Sequence, residues 1–207
     1  NENYQHPDMP AGCEEGIIKG MYLFRDCGVS TNGNGKGKGK AKAPCVQLLG
    51  SGTILREVIA AAELLDKDFG VTADIWSCPS FNELRRDGFD VERWNRLHPE
   101  AEPRKAYVTQ LLEGRQGPAI AATDYVRAYA DQIRAFVPMT YSVLGTDGFG
   151  RSDTRANLRR FFEVDRYYIA HAAIAALAKD GKMTAKDVAR AIKQYNIDPE
   201  KANPVGV

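Results

Sequence analysis

Short apolar runs alternate with amphipathic segments through most of the chain. Runs that are apolar at nearly every position, without regular polar interruptions, are typical of strands buried on both faces of a sheet. Such runs predict strands over residues 45–50, 72–77, 117–122 and 141–145. A further short run predicts a strand over residues 21–25.

Segments with apolar residues at helical spacing lie between these strands. The clearest begins near Ile54, and Gly70 is the expected cap at its carboxyl end. Another runs over residues 124–137, with Thr123 or Asp124 as its expected cap, and is predicted to bury Tyr125, Val126, Tyr129, Ile133 and Phe136. A short helix capped by Ser80 is predicted next, followed by a helix over residues 88–99 that is expected to pack Phe89, Val91, Trp94 and Leu97 inward. Further helices are predicted over residues 107–112, 157–162, 165–179 and 184–195, and Thr184 and Asp187 have capping-box spacing at the start of the last one.

The alternation of strands and helices predicts an α/β fold. We expect three layers, α/β/α, around a mostly parallel sheet of about five strands. Residues 21–25 are joined to Cys45 by a segment that is too short and too polar for a helical crossover. This strand is therefore predicted to lie antiparallel at one edge of the sheet.

Composition narrows the class of protein. The 207 residues are 43% hydrophobic, which is enough for one large core. The 28 basic and 27 acidic residues nearly cancel, so no overall field favours nucleic acid or an anionic membrane as a partner. No apolar run approaches the roughly 20 residues of a membrane span. We expect a cytoplasmic protein that binds neither nucleic acid nor membrane.

The four cysteines, Cys13, Cys27, Cys45 and Cys78, are scattered and form no C-x-x-C motif. Only three histidines are available to join them. This spacing favours reduced thiols over disulfides or a zinc site, and no metal site is expected on this chain.

Two segments differ from the rest in composition. Residues 1–16 are polar, rich in turn-forming residues and lack an initiator methionine, which predicts a linker from a missing upstream domain. Residues 27–43 are dominated by glycine, asparagine and lysine, which predicts a flexible loop. The lysines could attract an anionic partner, but without interleaved aromatic residues a solvated loop is favoured.

The segment 144–153 carries three glycines between a predicted strand and a helix start, and Ser152 or Asp153 is the expected helix cap. Ligands of open α/β sheets bind beyond the carboxyl ends of the strands. Asp147, Arg151 and Ser152 are therefore candidate binding residues. Most glycine-rich turns are only turns, so both interpretations stay open.

Other candidate motifs are weaker. Gly50 and Gly52 suggest a dinucleotide fingerprint, but Leu55 stands where the third glycine is needed. Ser80 is explained as a helix cap by Glu83 at the capping-box position. His98 is a candidate acid or base, although a structural histidine is favoured.

Four blocks of sequence carry a resemblance to a known family. They are Gly145-Thr-Asp-Gly-Phe-Gly-Arg-Ser-Asp153, Leu48-Leu-Gly-Ser-Gly-Thr-Ile-Leu-Arg56, Phe89-Asp-Val-Glu-Arg-Trp-Asn-Arg-Leu-His-Pro99 and Asn1-Glu-Asn-Tyr4. They resemble the carboxyl-terminal domain of the homodimeric component of bacterial pyruvate dehydrogenase complexes, and more widely the third domain of transketolase-like enzymes. Residues 17–207 are then predicted to form a transketolase-like carboxyl-terminal domain, in which the loop over 27–43 is longer than the family suggests.

The resemblance implies a homodimeric enzyme that uses thiamine diphosphate and magnesium. Such an enzyme decarboxylates pyruvate and reductively acetylates the lipoyl group of dihydrolipoyl acetyltransferase. The family's catalytic, cofactor-binding and metal-binding groups lie in the upstream domains of the same chain. We therefore expect none of them here, and we expect this fragment to be inactive alone.

Within this resemblance, Asp147, Arg151, Ser152 and His98 become candidates for a subunit interface or the active-site entrance. The alternative from another class of protein is a stand-alone α/β module. It would bind a small ligand or a protein at the carboxyl edge of its sheet.

Overall fold

The computed structural model describes residues 6–27 and 43–207. The strands are β1 (Tyr22–Arg25), β2 (Cys45–Gly50), β3 (Thr72–Ser77), β4 (Ala119–Ala122) and β5 (Tyr141–Leu144). The α-helices are α1 (Glu14–Lys19), α2 (Leu55–Phe69), α3 (Phe81–Leu97), α4 (Tyr107–Leu112), α5 (Arg127–Asp131), α6 (Arg155–Phe161), α7 (Arg166–Lys179) and α8 (Ala185–Gln194). The interior of the predicted flexible loop lies outside the described residues. None of the described helices has both the length and the apolar character needed to cross a membrane.

All five predicted strands are present, and they form one sheet in the order β1-β3-β2-β4-β5. The β2 strand pairs in parallel with β3 and with β4, and β4 pairs in parallel with β5. The β1 strand pairs antiparallel with β3 at the edge. The predicted fold class and the antiparallel edge strand are confirmed.

The sheet separates two hydrophobic cores, because successive side chains of a strand point to opposite faces. On one face, Leu48 and Ile75 belong to a core that includes residues of α2, α7 and α8. On the other face, Leu49 and Trp76 belong to a core with residues of α3, α4 and α5. Every residue of β2 and β4 is buried, as expected for parallel strands covered on both sides.

The predicted helix caps at three positions are confirmed. Gly70 ends α2 in the left-handed conformation with φ of 64°. The Ser80 hydroxyl oxygen accepts a hydrogen bond from the Glu83 backbone N–H at 3.2 Å. Thr184 and Asp187 form the reciprocal capping box at the start of α8.

The two helices predicted between Ser80 and Pro99 are instead the single helix α3. Its glycine, Gly88, is buried against Phe136, and a Cβ added there would lie 2.3 Å from the ring. The glycine therefore serves close packing and does not separate two helices. Phe89 and Leu97 were predicted to pack inward, yet both are exposed.

The helix predicted over residues 124–137 is also wrong. The chain forms the short helix α5 and a 3-10 turn at Arg134–Phe136, and it leaves Tyr125 and Val126 exposed. The Thr123 side-chain oxygen accepts the N–H of Tyr125 at 3.2 Å in a turn that precedes α5 and does not cap it. The Tyr125 carbonyl accepts the Thr146 N–H at 2.9 Å, so it is not available to a helix.

The helix α1 lies partly within the segment predicted as a linker. It ends at Gly20, whose φ of 94° is the left-handed conformation of a helix cap. Six residues with little helical periodicity gave no signal in the sequence. The linker itself stays a prediction, and residues 1–5 lie outside the described part of the chain.

Two glycines before β4 provide a matched test of packing at the entry to the sheet. Gly114 and Gly117 have φ of 79° and 82°, so alanine is equally strained at both, by about 1–2 kcal/mol. An added Cβ meets nothing within 4 Å at Gly114 but lies 1.7 Å from the Cys45 carbonyl oxygen at Gly117. We predict that Gly117→Ala lowers the free energy of unfolding by at least about 2 kcal/mol more than Gly114→Ala.

Urea unfolding of the two variants measures this difference. Equal losses in the two variants would show that the backbone around Cys45 yields to the added methyl group, contrary to the prediction.

Candidate functional site

Three loops are joined at the carboxyl edge of the sheet, where β2, β4 and β5 end. The Ser51 hydroxyl lies 2.9 Å from the Thr123 hydroxyl oxygen, which links the loops after β2 and β4. Thr146, after β5, donates its hydroxyl to the Asp124 carbonyl at 2.7 Å. The edge is therefore held in a fixed shape by hydrogen bonds between loops.

Asp147 attaches the glycine-rich segment 144–153 to α5. Its carboxylate accepts the backbone N–H of Arg127 at 3.0 Å, at the first residue of that helix. The neighbouring Gly148 has φ of 106°, and a Cβ there would lie 2.2 Å from the Pro204 carbonyl oxygen. Asp147 and Gly148 thus hold the segment between α5 and the carboxyl-terminal residues.

Arg151 and Ser152 follow on the exposed part of the same segment. The Arg151 guanidinium carbon lies 4.3 Å from the centre of the Phe161 ring, within the range of a cation–π contact. The predicted helix cap at Ser152 or Asp153 is wrong. The cap of α6 is Thr154, whose side-chain oxygen accepts the Asn157 N–H at 3.3 Å.

His98 does not join these residues. It follows the last residue of α3, a helix of 17 residues and so roughly 25 Å long that begins after β3 at the carboxyl edge. The His98 ring stacks on Trp94 with 4.5 Å between ring centres, and its Nδ1 lies 2.9 Å from the Trp94 carbonyl oxygen. The structure therefore brings three of the four candidates together and places His98 at the far end of α3.

A shallow groove of about 380 Å³ lies beside the segment 144–153. Its lining includes Thr146, Arg151, Arg155 and Arg159. Phe149, on the same segment, is 78% exposed. Exposed aromatic and arginine side chains are typical of surfaces that bind another protein or an anionic group.

A buried carboxylate behind the groove was missed in the sequence. Glu57, in the first turn of α2, is 6% exposed and accepts hydrogen bonds from the Arg166 side chain at 2.9 and 3.1 Å and from its backbone N–H at 3.0 Å. Arg159 lies 3.3 Å from the same carboxylate. A signal was present, because Glu57 is three residues after Ile54 and four before Ala61, on the apolar face of α2.

The neighbouring arginines favour the ionised form of the carboxylates in this cluster. Burial by itself raises the pKa of Glu57, but the hydrogen bonds and charge of Arg166, with the charge of Arg159, outweigh it and lower the pKa overall. Burial raises the pKa of Asp165, the cap of α7, although the N–H groups of Tyr167 and Tyr168 and the charge of Arg160 oppose the shift. With its lowered pKa, the Glu57 carboxylate is ionised at neutral pH, joins α2 to α6 and α7, and is poorly suited to donate a proton.

Replacing this anchor should destabilise the fold in a pH-dependent way. We predict that Glu57→Gln lowers the free energy of unfolding at pH 7 by about 2 kcal/mol, because charged hydrogen bonds in a buried site are lost. The value lies below that of a fully buried pair because the Arg166 side chain is 43% exposed. Chemical denaturation from pH 3 to 7 measures the difference between wild type and variant.

The sign of the pH dependence follows from the lowered pKa. The stabilisation is fully present above the ordinary value of 4.5 and is lost as the pH falls through the folded-state pKa, so the two proteins should converge in acid. Glu63→Gln, an exposed position on the same helix, is the matched control and should change little. A difference that persists unchanged at pH 3 would rule out the ion pair as its source.

Comparison with known proteins agrees with this architecture. The family model described as the transketolase-like TK C-terminal domain matches residues 20–165. A transketolase from Leishmania mexicana shares the fold with a TM-score of 0.50 and 16% identity, over 84% of this chain and 21% of that one.

Two bacterial relatives are much more similar in sequence. The pyruvate dehydrogenase E1 component of Cupriavidus necator is 60% identical over 207 residues, which is 100% of this chain and 22% of the relative. The pyruvate dehydrogenase E1 component of Escherichia coli K12 is 53% identical over 205 residues, with coverage of 99% and 22%. The chain thus spans about a fifth of the length of these relatives, and it belongs to the transketolase-like C-terminal domain family.

Proposed function

We propose that this chain is the carboxyl-terminal domain of a thiamine-diphosphate- and magnesium-dependent pyruvate dehydrogenase. The full-length enzyme decarboxylates pyruvate and reductively acetylates the lipoyl group of dihydrolipoyl acetyltransferase. It works in the cytoplasm as a homodimer, with the upstream domains of the same chain and the acetyltransferase as further partners. The domain described above supports the dimer and the active-site entrance and is inactive alone.

One observation carries this proposal. Similarity to proteins named pyruvate dehydrogenase E1 component extends over the whole chain, at 60% and 53% identity, and supports the same activity for the full-length protein. The likeness to transketolase structures supports the fold and does not distinguish between activities.

The buried carboxylate at the carboxyl edge does not offer a magnesium site. Magnesium requires several oxygen ligands in nearly octahedral geometry. At the carboxyl edge, the Glu57 carboxylate accepts three hydrogen bonds from Arg166 and lies 3.3 Å from Arg159. Three arginines and one aspartate, Asp124, line the adjacent groove, and this excess of positive charge opposes a cation. These observations support placing the magnesium ion in other domains.

A supporting role is consistent with the surface of the carboxyl edge. Tyr125, Val126 and Phe149 are 63%, 53% and 78% exposed, and Arg151 lies on the same segment as Phe149. The loops beneath them are held by hydrogen bonds, so the surface is formed before a partner binds. Pre-formed apolar and arginine-rich surfaces suit protein contacts.

A stand-alone binding module is the second candidate function. The arginine-lined groove beside Thr146 is the observation that favours it, since such a groove suits an anionic ligand. Pyruvate turnover by the full-length protein distinguishes the enzyme domain from a stand-alone module.

The first test concerns the cofactor and the substrate. We predict that the 207-residue chain neither turns over pyruvate nor gains thermal stability from thiamine diphosphate with magnesium, because a ligand raises the unfolding midpoint only when it binds the folded state. Differential scanning calorimetry and a decarboxylation assay measure the two effects. The full-length protein, assayed in parallel, should show both activity and a raised midpoint.

If the unfolding midpoint of the 207-residue chain rises with cofactor concentration, this domain has a cofactor site. That result would contradict the proposal that the cofactor binds in the upstream domains. Inactivity of the full-length protein towards pyruvate would overturn the proposed enzyme itself.

The second test concerns the carboxyl edge. We predict that Arg151→Ala in the full-length enzyme weakens the dimer or raises the KM for pyruvate about tenfold. Arginines that become buried when two surfaces associate often supply much of the binding energy. Sedimentation and steady-state kinetics measure these effects. Arg85→Ala is the matched control, because Arg85 is also exposed and lies over an aromatic ring, Phe89, at 4.6 Å, but on α3. Equal behaviour of both variants would remove Arg151 from the interface.

A further inference from the structure

Two cysteines and an aspartate meet at the amino edge of the sheet, opposite the site described above. Cys45 is the first residue of β2, Asp74 is the third residue of β3, and Cys27 lies two residues beyond the end of β1. Their thiol and carboxylate atoms lie within 4.8 Å of one another. The antiparallel β1 ends where β2 and β3 begin, and this pairing brings together residues whose sequence spacing resembles no metal motif.

The three ligand groups of the cluster differ in burial. Cys45 and Asp74 are 5% and 1% exposed, whereas Cys27 is only partly buried. Cys27 and Cys45 are free thiols, as are the other two cysteines. An ion at the cluster would therefore have two buried ligand groups and one partly exposed ligand group.

Asp74 is oriented by the residues around it. Its Oδ1 accepts the backbone N–H of Cys27 at 2.5 Å, and its Oδ2 accepts the Gln47 side-chain amide at 2.9 Å. The Gln47 amide is itself held, because its oxygen accepts the Trp76 indole N–H at 2.8 Å and its nitrogen donates to the Gln116 carbonyl at 3.0 Å. Outer contacts of this kind fix the direction of a carboxylate that ligates a metal ion.

The charge around the cluster permits a divalent cation. Arg115 bridges Asp74 and Asp26, with its Nη1 3.4 and 2.9 Å from their carboxylates, so that one guanidinium is shared by two carboxylates. If Cys27 and Cys45 release their thiol protons to solvent, two further negative charges are added. A divalent cation offsets the two thiolate charges, and Arg115 then contacts the ligating carboxylate from outside.

We propose that Cys27, Cys45 and Asp74 bind a thiophilic divalent cation, zinc in the first place, with a water molecule as the fourth ligand. Zinc forms bonds of about 2.3 Å to sulfur and about 2 Å to oxygen, so its ligand atoms lie roughly 3 to 4 Å apart. The three ligand atoms lie within 4.8 Å of one another, slightly wider than that spacing. Two sulfur ligands select zinc over magnesium or calcium. The proposal does not depend on the proposed enzyme activity.

Cobalt and zinc titrations test this site. In the reduced, metal-free 207-residue chain, kept under a phosphine reductant, we expect one equivalent of Co²⁺ to produce thiolate-to-cobalt charge-transfer absorption. One equivalent of Zn²⁺ should then abolish it. Cys27→Ser and Cys45→Ser should each weaken the affinity for cobalt at least about 100-fold, and Asp74→Asn about tenfold or more.

Cys13→Ser and Cys78→Ser are the matched controls, because both cysteines are buried outside the cluster. They should leave the cobalt spectrum and its affinity unchanged. Circular dichroism confirms that each variant is folded, and the partly exposed Cys27 keeps the test decisive if Cys45→Ser fails to fold. The proposal is overturned if no charge-transfer band appears, if the band survives Cys27→Ser, or if it depends on Cys13 or Cys78.

Discussion

The parallel pairing of β2 with β3 on one side and β4 on the other is the constraint on which the rest of the structure depends. Parallel strands have to be covered on both faces, which is why every residue of β2 is buried and why helices lie on both sides of the sheet. The pairing also aligns the strand ends, since Gly50 pairs with both Ser77 and Ala122. Loops that are far apart in sequence therefore leave the sheet at the same height and contact one another.

At the carboxyl edge, strand alignment alone does not hold the following helices α6 and α7 against the loops, so a further interaction is required. Glu57 provides it. A buried carboxylate is costly unless it is paired, and its partners, Arg159 and Arg166, come from the helices after the segment 144–153. That segment is thus held at one end by Asp147 and at the other by the ion pairs of Glu57. Groups engaged in this way position a surface, and they are poorly placed to move protons.

The sequence predicted what depends on neighbouring residues. The strands, the cap at Ser80 and the capping box at Thr184 are set within a single turn or a short apolar run, and all were found. The failures have non-local causes. The helix over 124–137 is broken because Thr146 takes the Tyr125 carbonyl, and hydrophobic periodicity carries no information about such a bond. The cluster of Cys27, Cys45 and Asp74 exists only through strand pairing, so its spacing in the sequence is uninformative.

The proposed contact surface and the proposed cation site lie at opposite edges of the sheet, so the two proposals can be tested separately. In the proposed enzyme, the exposed Tyr125, Val126 and Phe149 meet other domains or the second subunit at the carboxyl edge. The thiol cluster lies at the opposite edge, beside the ends of β1 and the starts of β2 and β3. A cation there stabilises the sheet without entering the contact surface. Loss of the cation should therefore act on folding, whereas loss of Arg151 should act on assembly or catalysis, and these two effects can be measured independently.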